Sequence, residues 1–528
     1  MKRKVILAGL DGFSPRIFEY LRSEGKMPFL ESLTGSGSFG VLRSIMPFET
    51  SPAWSSLQTG CRPEKTSIYT FHRYQSDKRQ IRLNSFRDIK VPSLWELLSD
   101  SGKRVISINM PVTSPPPEVN GIIIPGLLSP QLGRESVHPP DVYDKYIAGR
   151  EDYKIVDKRW DGSIELFAER AKRLINARLT LAKEILSNED FDLASVQFQM
   201  TDVLQHKLWW AIDPEQPGFD KDTFNKIAEI YSACDNALKE LFSFADSDDL
   251  KLAVSDHGFC AHNKTISINT WLHQNGFLKL LDSEEKSGLI SDELKDKHPL
   301  LKKIAGIYGE AKKKAASAGS KPDTRLFCEK HLEHLRKMID FQQPNIFCLG
   351  AMGAYFYVTD ASQKKHLAKI RDSLLKAFGP ESQNPVVSTI EITERDSLSE
   401  PAMKAELKEG VLNAVTPSRE ENSPVLTSPA NNGFAGGTHS IEGFWAASGG
   451  LIKQQKRDAE IIDIAPTILG FLGAEIPGHI DGQFLGDIFS EDIQPKYVQS
   501  GLQGKEGVDY SDDQQSGVED QLRDLGYI

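Results

Sequence analysis

The strongest constraint on the fold is an alternation of short apolar runs with longer amphipathic stretches. Residues 5–8, 105–108, 122–125, 193–198 and 252–255 are apolar, rich in β-branched side chains and bounded by turn residues, which predicts buried strands. Apolar and charged residues alternate at helical spacing over 164–187 and 222–243. Strands that alternate with helices predict an α/β fold, with a mostly parallel central sheet flanked by helices on both faces.

Two segments interrupt this alternation within a predicted catalytic domain of residues 1–490. Residues 111–160 are rich in proline and turn residues, and residues 280–340 are helical and rich in lysine. The range 295–337 holds twelve Lys or Arg and five Asp or Glu, a local charge of +7. We expect the two insertions to form a helical cap. The basic one is either a solvated surface or a region that attracts an anionic substrate.

Two further segments are predicted to have little regular structure. Residues 395–432 are expected to be loop and short helix. Residues 491–528 form an acidic C-terminal tail, in which 505–528 hold seven acidic and two basic residues. We expect this tail to be loosely attached, apart from its apolar last turn.

Charge and cysteine content narrow the class of protein. A formal net charge of -11 argues against a general nucleic-acid binder, which needs a basic face to neutralise phosphates. The five cysteines are scattered and form no CxxC pair, which is typical of a reducing compartment. The apolar run near the N-terminus is too short for a membrane span and lacks a signal peptide's cleavage region. We therefore expect a cytoplasmic protein without a membrane span and without a nucleic-acid partner.

Four short polar segments follow or end probable strands and carry side chains that bind metals. In chain order these side chains are Asp11, Asp202, His206, Asp256, His257 and His439. Ligands of open α/β sheets gather at the carboxyl ends of strands, so the placement and the chemistry agree. Taken singly, each residue is also explained as a helix cap, a solvated surface residue or a loop residue. Together, three carboxylates and three imidazoles are enough to bind two ions with open positions.

A candidate nucleophile lies at a probable helix start. Thr50 and Ser51 are followed by Pro52, whose missing N–H costs nothing in a first helical turn. One interpretation is that Thr50 or Ser51 only caps this helix. The other places the Thr50 hydroxyl at the positive end of the helix, where an anion binds well. A bound metal would then lower the pKa of Thr50 and make it a nucleophile.

These segments, in this order, resemble the alkaline phosphatase superfamily, and specifically its type I phosphodiesterase/nucleotide pyrophosphatase branch. The resemblance rests on a Thr-x-Pro element that ends in Thr-Gly, an Asp-x-x-x-His pair, an Asp-His-Gly and a late Gly-x-His. It extends from Asp11 to residues 461–469, which are followed by Asp481-Gly482. The resemblance implies an alkaline phosphatase-like fold and a metal-dependent phosphoric ester hydrolase. Zinc is the usual metal of the family, and the mixed ligand set also suits manganese.

Carried over by position, the resemblance divides the candidate ligands into two sets. One ion would be bound by Asp202, His206 and His439, and the other by Asp11, Asp256 and His257, with Thr50 completing its shell. The implied reaction is in-line attack by Thr50 on phosphorus, which gives a phospho-threonine intermediate that water then releases. The expected substrate is a small phosphate ester, more specifically a diester.

The chain departs from the family pattern after the Thr-Gly. Nucleotide pyrophosphatases typically continue with a His-Gly pair and an Asn that contacts a phosphate oxygen. Here Thr66-Ser67 replace the pair and no Asn follows, so Thr70 or His72 is left as a possible substitute. Trp54 stands where sulfatases of the superfamily carry Arg, which argues against sulfatase activity.

Two alternatives to a phosphodiesterase stay open at this point. A phosphomonoesterase or phosphonate hydrolase would need a cationic group beside the metals, for which Arg62, Lys65 and Lys264 are candidates. A non-catalytic binding protein on the same fold is the second alternative, and the presence of the nucleophile with all six candidate ligands argues against it.

Overall fold

A computed structural model of the protein describes residues 3–156, 163–281, 335–336, 338–429, 436–499 and 510–525. The strands are β1 (Val5–Leu10), β2 (Ser38–Arg43), β3 (His72–Gln75), β4 (Gln80–Leu83), β5 (Val105–Met110), β6 (Gly121–Pro125), β7 (Leu193–Phe198), β8 (Leu250–Val254), β9 (Gly258–Ala261), β10 (Lys264–Ile266), β11 (Ile346–Leu349), β12 (Gly353–Val358), β13 (Val387–Ile392), β14 (Met403–Leu407), β15 (Val411–Asn413), β16 (Leu426–Thr427), β17 (Gly437–Ser440), β18 (Glu442–Ser448), β19 (Gln455–Lys456), β20 (Ala459–Glu460), β21 (Glu475–Pro477) and β22 (Lys496–Val498). The helices are α1 (Pro15–Ser23), α2 (Pro28–Ser36), α3 (Thr50–Thr59), α4 (Pro63–Thr66), α5 (Leu94–Asp100), α6 (Ile164–Asn188), α7 (Met200–Ile212), α8 (Lys221–Phe242), α9 (Ile268–Gln274), α10 (Leu367–Phe378), α11 (Ile464–Phe471) and α12 (Asp512–Leu525).

The central sheet has the strand order β19-β2-β18-β8-β1-β7-β5-β6, with β20 also paired to β2. Strands β8, β1, β7, β5 and β6 are all parallel, and β18 runs antiparallel to both of its neighbours. The predicted α/β fold with a mostly parallel sheet is therefore confirmed.

Helices cover both faces of this sheet, as the sequence predicted. In β1, Ile6 and Ala8 belong to one hydrophobic cluster, whereas Val5 and Leu7 belong to another. The first cluster includes the apolar faces of α6, α7 and α8, and the second includes those of α3, α5 and α11. Because successive side chains of a strand point to opposite faces, an uninterrupted apolar run is what a sheet covered on both sides requires.

A second, antiparallel sheet follows the order β11-β12-β14-β13 and has its own hydrophobic cluster. Its strand β14 lies within 395–432, so the prediction of loop and short helix was wrong for that part. Met403, Ala405 and Leu407 are buried there, and the charged Lys404 and Glu406 alternate with them. The alternation has the period of two that a strand requires, but it covers only five residues.

The two predicted insertions differ in how much of them is described. Residues 282–334 and 337 lie outside the described residues, so most of the basic segment is not part of this account. Within 111–156, Val112, Leu127, Leu128 and Val137 pack into the first hydrophobic cluster. A cap formed by both insertions stays a prediction.

The C-terminal helix α12 is docked onto the catalytic domain, contrary to the expectation of a loose tail. Val518 and Leu522 are fully buried in the first hydrophobic cluster. Just before the helix, the Tyr510 hydroxyl lies 2.8 Å from the carbonyl oxygen of Ser114 and 2.9 Å from that of Leu128. The two apolar residues are four apart, so they share one face of a helix that is otherwise mostly polar. None of the described helices is long and apolar enough to cross a membrane.

Candidate active site

The carboxyl ends of three adjacent parallel strands bring the predicted site residues together. Asp11 follows β1, Asp256 and His257 follow β8, and α7, which carries Asp202 and His206, begins two residues after β7. His439 lies in β17, which pairs with β9 just beyond Asp256 and His257. Thr50 is the first residue of α3. Among these residues His206 is partly exposed and the others are buried, so the site lies inside the protein.

The first group of candidate ligands consists of Asp11, Asp256 and His257. The His257 Nε2 lies 3.2 Å from Asp256 Oδ2 and 3.6 Å from Asp11 Oδ1. All three donor atoms are within 4.8 Å of one another. The Thr50 Oγ1 is 3.4 Å from the same His257 Nε2, so the hydroxyl of Thr50 faces this group.

The second group consists of Asp202, His206 and His439. The Oδ1 of Asp202 is 3.2 Å from Nε2 of His439 and 3.5 Å from Nε2 of His206, and the two Nε2 atoms are 2.9 Å apart. His439 also stacks on His257, with ring centroids 3.6 Å apart and an interplanar angle of 18°. The two groups are therefore adjacent parts of one site.

Hydrogen bonds fix the ring orientation of two of the histidines. The Nδ1 of His257 is 3.1 Å from the carbonyl oxygen of Gly258, and the Nδ1 of His439 is 2.9 Å from that of Phe48. A carbonyl only accepts, so each Nδ1 carries the hydrogen and donates it. The lone pair of each Nε2 then points toward the carboxylates, which is the arrangement found around histidines that bind metals.

The charges of the site are poorly compensated by protein groups alone. Burial, together with the neighbouring carboxylates Asp256 and Asp202, raises the pKa of Asp11 well above its ordinary value. Burial raises the pKa of Asp256 in the same way and lowers the pKa of His257. The Oδ1 of Asp11 and the Oδ2 of Asp256 accept no hydrogen bond from the described residues. Buried carboxylates need a partner, and two divalent cations would neutralise this cluster, so the donor set fits metal ions.

No side chain at the capping position of helix α3 bonds to the N–H groups at its N-terminus. The capping position is Glu49, whose side chain makes no hydrogen bond to the helix, and Thr50 lies inside the first turn with Pro52. The interpretation of Thr50 as a helix cap is therefore wrong. Its hydroxyl is fully buried and directed to His257 instead.

Sequence reasoning missed the residues that hold Asp11. The Nε1 of Trp54 donates to Asp11 Oδ2 at 3.1 Å, and the Nε2 of Gln197 donates to the same oxygen at 2.6 Å. The side-chain oxygen of Gln197 in turn accepts from Nδ2 of Asn109 at 2.9 Å. The available signal was Gln197 itself, because a polar residue inside the apolar run 193–198 needs a buried partner.

Several residues considered for substrate binding have protein partners. Arg62 pairs with Glu460, Lys65 with Asp481, and the Lys264 ammonium donates to Ser428 Oγ at 2.8 Å. Thr70 donates to Glu49, and His72 lies 3.7 Å from Glu519 of α12. None of these five side chains forms a direct hydrogen bond or ion pair with the candidate ligands among the described residues.

Comparisons with known proteins identify a family and a similar fold. The sequence model of the family described as type I phosphodiesterase/nucleotide pyrophosphatase matches residues 5–373. The structure resembles human ectonucleotide pyrophosphatase/phosphodiesterase 5, with a TM-score of 0.53 and 11% identity over 93% of this chain and 100% of that chain. The murine form of the same protein gives a TM-score of 0.52 and 11% identity over 92% of this chain and 100% of that one. No curated protein sequence matches.

Proposed function

The chain belongs to the type I phosphodiesterase/nucleotide pyrophosphatase family, and from this premise we propose that it hydrolyses a small phosphodiester with Thr50 as nucleophile. Membership makes the protein a phosphoric ester hydrolase of a two-metal class. The nucleophile, the metal ligands and the preference for diesters are the finer proposal. The observation that carries it is the fully buried Thr50 hydroxyl, 3.4 Å from His257 within a cluster of three carboxylates and three imidazoles.

The distances in the site support two ligand sets. Asp11, Asp256 and His257 would bind one ion with Thr50. Asp202 and His439 lie close to each other and also to His257, and His206 Nε2 is 3.5 Å from Asp202, so Asp202, His206 and His439 would bind the other ion. The nitrogen and oxygen donors suit zinc, with manganese as the alternative. Bound ions of this kind lower the pKa of a hydroxyl and neutralise charge that develops on phosphoryl oxygens.

The chain's own groups supply the nucleophile and part of the anion site. The Thr50 oxygen forms a bond to phosphorus, and the bond from phosphorus to the leaving-group oxygen breaks. In the second half of the reaction, the oxygen of a water molecule bonds to phosphorus and the Thr50 oxygen is released, which leaves a phosphate monoester as product. The positive end of α3 lies at this hydroxyl, where backbone N–H groups favour an anion.

We infer a preference for diesters from the pairing of two candidate cations in the described part of the chain. Arg62 and Lys65, two candidates for this role, have their charges engaged by Glu460 and Asp481. A dianionic monoester would need such a group more than a monoanionic diester does. The observed pairings therefore favour the phosphodiesterase over the phosphomonoesterase or phosphonate hydrolase.

The test combines metal content with turnover of two chromogenic esters. We expect about two zinc or manganese ions per chain, and cleavage of bis-p-nitrophenyl phosphate that exceeds cleavage of p-nitrophenyl phosphate. Thr50→Ala should abolish turnover and keep the fold. Ser51→Ala is the matched control, because Ser51 is the buried neighbour of Thr50 on the same helix and its hydroxyl has no hydrogen-bond partner among the described residues. Full activity of Thr50→Ala would disprove the nucleophile. Absence of metal and turnover after zinc and manganese are supplied would leave the non-catalytic binding protein.

A further inference from the structure

The carboxylate of Glu49 lies directly before the proposed nucleophile and has no role in either ligand set. Its position is the cap of α3, yet its side chain makes no hydrogen bond to the helix. The residue is only 2% exposed, so the carboxylate is held inside the protein beside the site. A buried acidic side chain next to a phosphate-binding centre needs an explanation, because it repels the substrate.

Three hydrogen bonds hold the Glu49 carboxylate in place. Its Oε1 accepts from the backbone N–H groups of Ala351 and Met352, at 2.7 and 3.0 Å. Its Oε2 accepts from the hydroxyl of Thr70 at 2.8 Å. Burial raises the pKa of Glu49, and the three hydrogen bonds oppose this effect because they stabilise the ionised carboxylate. In the described part of the chain, neither lysine nor arginine forms an ion pair with Glu49, so its negative charge is held by neutral donors.

The partners of Glu49 place this charge between the two segments that carry Thr50 and His439. Ala351 and Met352 form the turn between β11 and β12 of the second sheet. The hydroxyl of Thr438, the neighbour of His439, lies 3.2 Å from the sulfur of Met352. On the other side, the carbonyl of Phe48, the neighbour of Glu49, accepts from Nδ1 of His439 at 2.9 Å. The charge is thus fixed beside the nucleophile and cannot swing away without breaking these contacts.

A fixed negative charge at this position discriminates between phosphate esters by their own charge. A phosphodiester carries one negative charge and a phosphomonoester carries two near pH 8. The repulsion by Glu49 is therefore about twice as large for the monoester in a Coulomb treatment. Specificity of this kind arises from a repulsive element directed against the wrong substrate.

We propose that Glu49 is a specificity-determining residue that disfavours dianionic monoesters and so keeps the site selective for monoanionic diesters. The inference rests on the proposed function and names the substrate class of that same site. It also assigns a purpose to the turn of the second sheet, which holds the carboxylate beside Thr50.

The test compares wild type with Glu49→Gln. The amide preserves the contacts, because its oxygen can accept from Ala351 and Met352 while its NH2 donates to the Thr70 hydroxyl. We expect the ratio of kcat/KM for bis-p-nitrophenyl phosphate over p-nitrophenyl phosphate to fall about tenfold, because one unit charge close to the substrate has been removed. The kcat/KM should rise for both esters, and it should rise more for the monoester because the monoester loses about twice the repulsion. Glu49→Asp keeps the charge and should keep the ratio, even if turnover falls.

Asp235→Asn is the matched control. Asp235 is 4% exposed and accepts from the backbone N–H groups of Phe29 and Leu30, both at 2.8 Å, without being part of the site. This variant removes an equally buried carboxylate and should leave the ratio of the two esters unchanged. A shift in this control as large as in Glu49→Gln would show a general effect of net charge and overturn the proposal.

A binding measurement separates charge from positioning. In a Thr50→Ala background, p-nitrophenyl phosphate should bind about a hundredfold more tightly when Glu49→Gln is added, and bis-p-nitrophenyl phosphate about tenfold more tightly, because its single charge loses half as much repulsion. If both esters lose affinity equally, Glu49 only positions the helix. If the ratio of the two affinities does not change, the charge of Glu49 does not act on the substrate. Either result overturns the proposal. Loss of metal or of folding in Glu49→Gln would contradict it as well, since the amide satisfies the same partners. If wild type itself shows no diester turnover that depends on Thr50, the proposed function fails instead.

Discussion

Replacement of Gln197 by methionine tests whether Asp11 depends on the residues that hold it. Gln197 is fully buried, donates to Asp11 at 2.6 Å and accepts from Asn109 at 2.9 Å. Methionine fills a similar volume, so the main losses are these two hydrogen bonds. The bond to the Asp11 carboxylate is worth about 1.5–3 kcal/mol, and leaving the Asn109 amide unpaired costs about 1–3 kcal/mol.

These two losses should lower the free energy of unfolding of the metal-free protein by about 3–5 kcal/mol. We expect a loss of unfolding free energy toward the lower end of this range, because Trp54 still donates to the same oxygen of Asp11, at 3.1 Å. Loss of an orienting partner should also weaken metal binding at the Asp11 position by about 10–100-fold.

Urea unfolding after treatment with EDTA measures the first effect, and competition with a chelator for zinc measures the second. The control is Ser107→Ala, since Ser107 is equally buried on the neighbouring strand β5 and its hydroxyl has no hydrogen-bond partner among the described residues. If Gln197→Met unfolds with a free energy within about 0.5 kcal/mol of wild type and binds zinc with unchanged affinity, the view that Gln197 orients Asp11 is refuted.

Three further changes test the packing and the metal content. Gly9→Ala places a Cβ 2.5 Å from a ring carbon of Trp54, so urea unfolding should show a loss of about 1–3 kcal/mol unless the ring shifts freely. Leu522→Ala removes a fully buried contact of α12 and should cost about 2–4 kcal/mol and increase cleavage of the tail by proteases, which limited proteolysis would detect. Zinc supplied at one hundred times its dissociation constant should stabilise the folded protein by about 2.7 kcal/mol per site in calorimetry, and an unchanged melting temperature would argue against both sites.

The α/β fold and the grouping of the candidate site residues could be predicted because both depend on local patterns. The apolar runs before Asp11 and Asp256 predict the strands β1 and β8. Adjacent parallel strands bring their carboxyl ends to the same edge of the sheet. Asp202 and His206 share a helix face because they are four residues apart. The roles of these residues as ligands and nucleophile stay predictions until metal and turnover are measured.

The contacts around these residues could not be predicted, because each joins distant parts of the chain. Trp54 and Asp11 are 43 residues apart, and Glu49 lies 303 residues from Met352. No local pattern predicts that a tryptophan will donate to a carboxylate, or that a turn of a second sheet will donate to a glutamate. The strand β14 of the second sheet was missed because its alternation of apolar residues with the charged Lys404 and Glu406 covers only five residues.

The charge around the site explains why fold and ligands alone do not define the substrate. Three carboxylates with two divalent cations leave a net charge of about +1, which attracts monoesters and diesters alike. Glu49 brings that sum to about zero, and Arg62 and Lys65 do not restore it because Glu460 and Asp481 engage them. A site with no excess positive charge gains nothing from the second charge of a monoester, so on our proposal the selectivity for diesters would follow from a residue that binds neither metal nor phosphate.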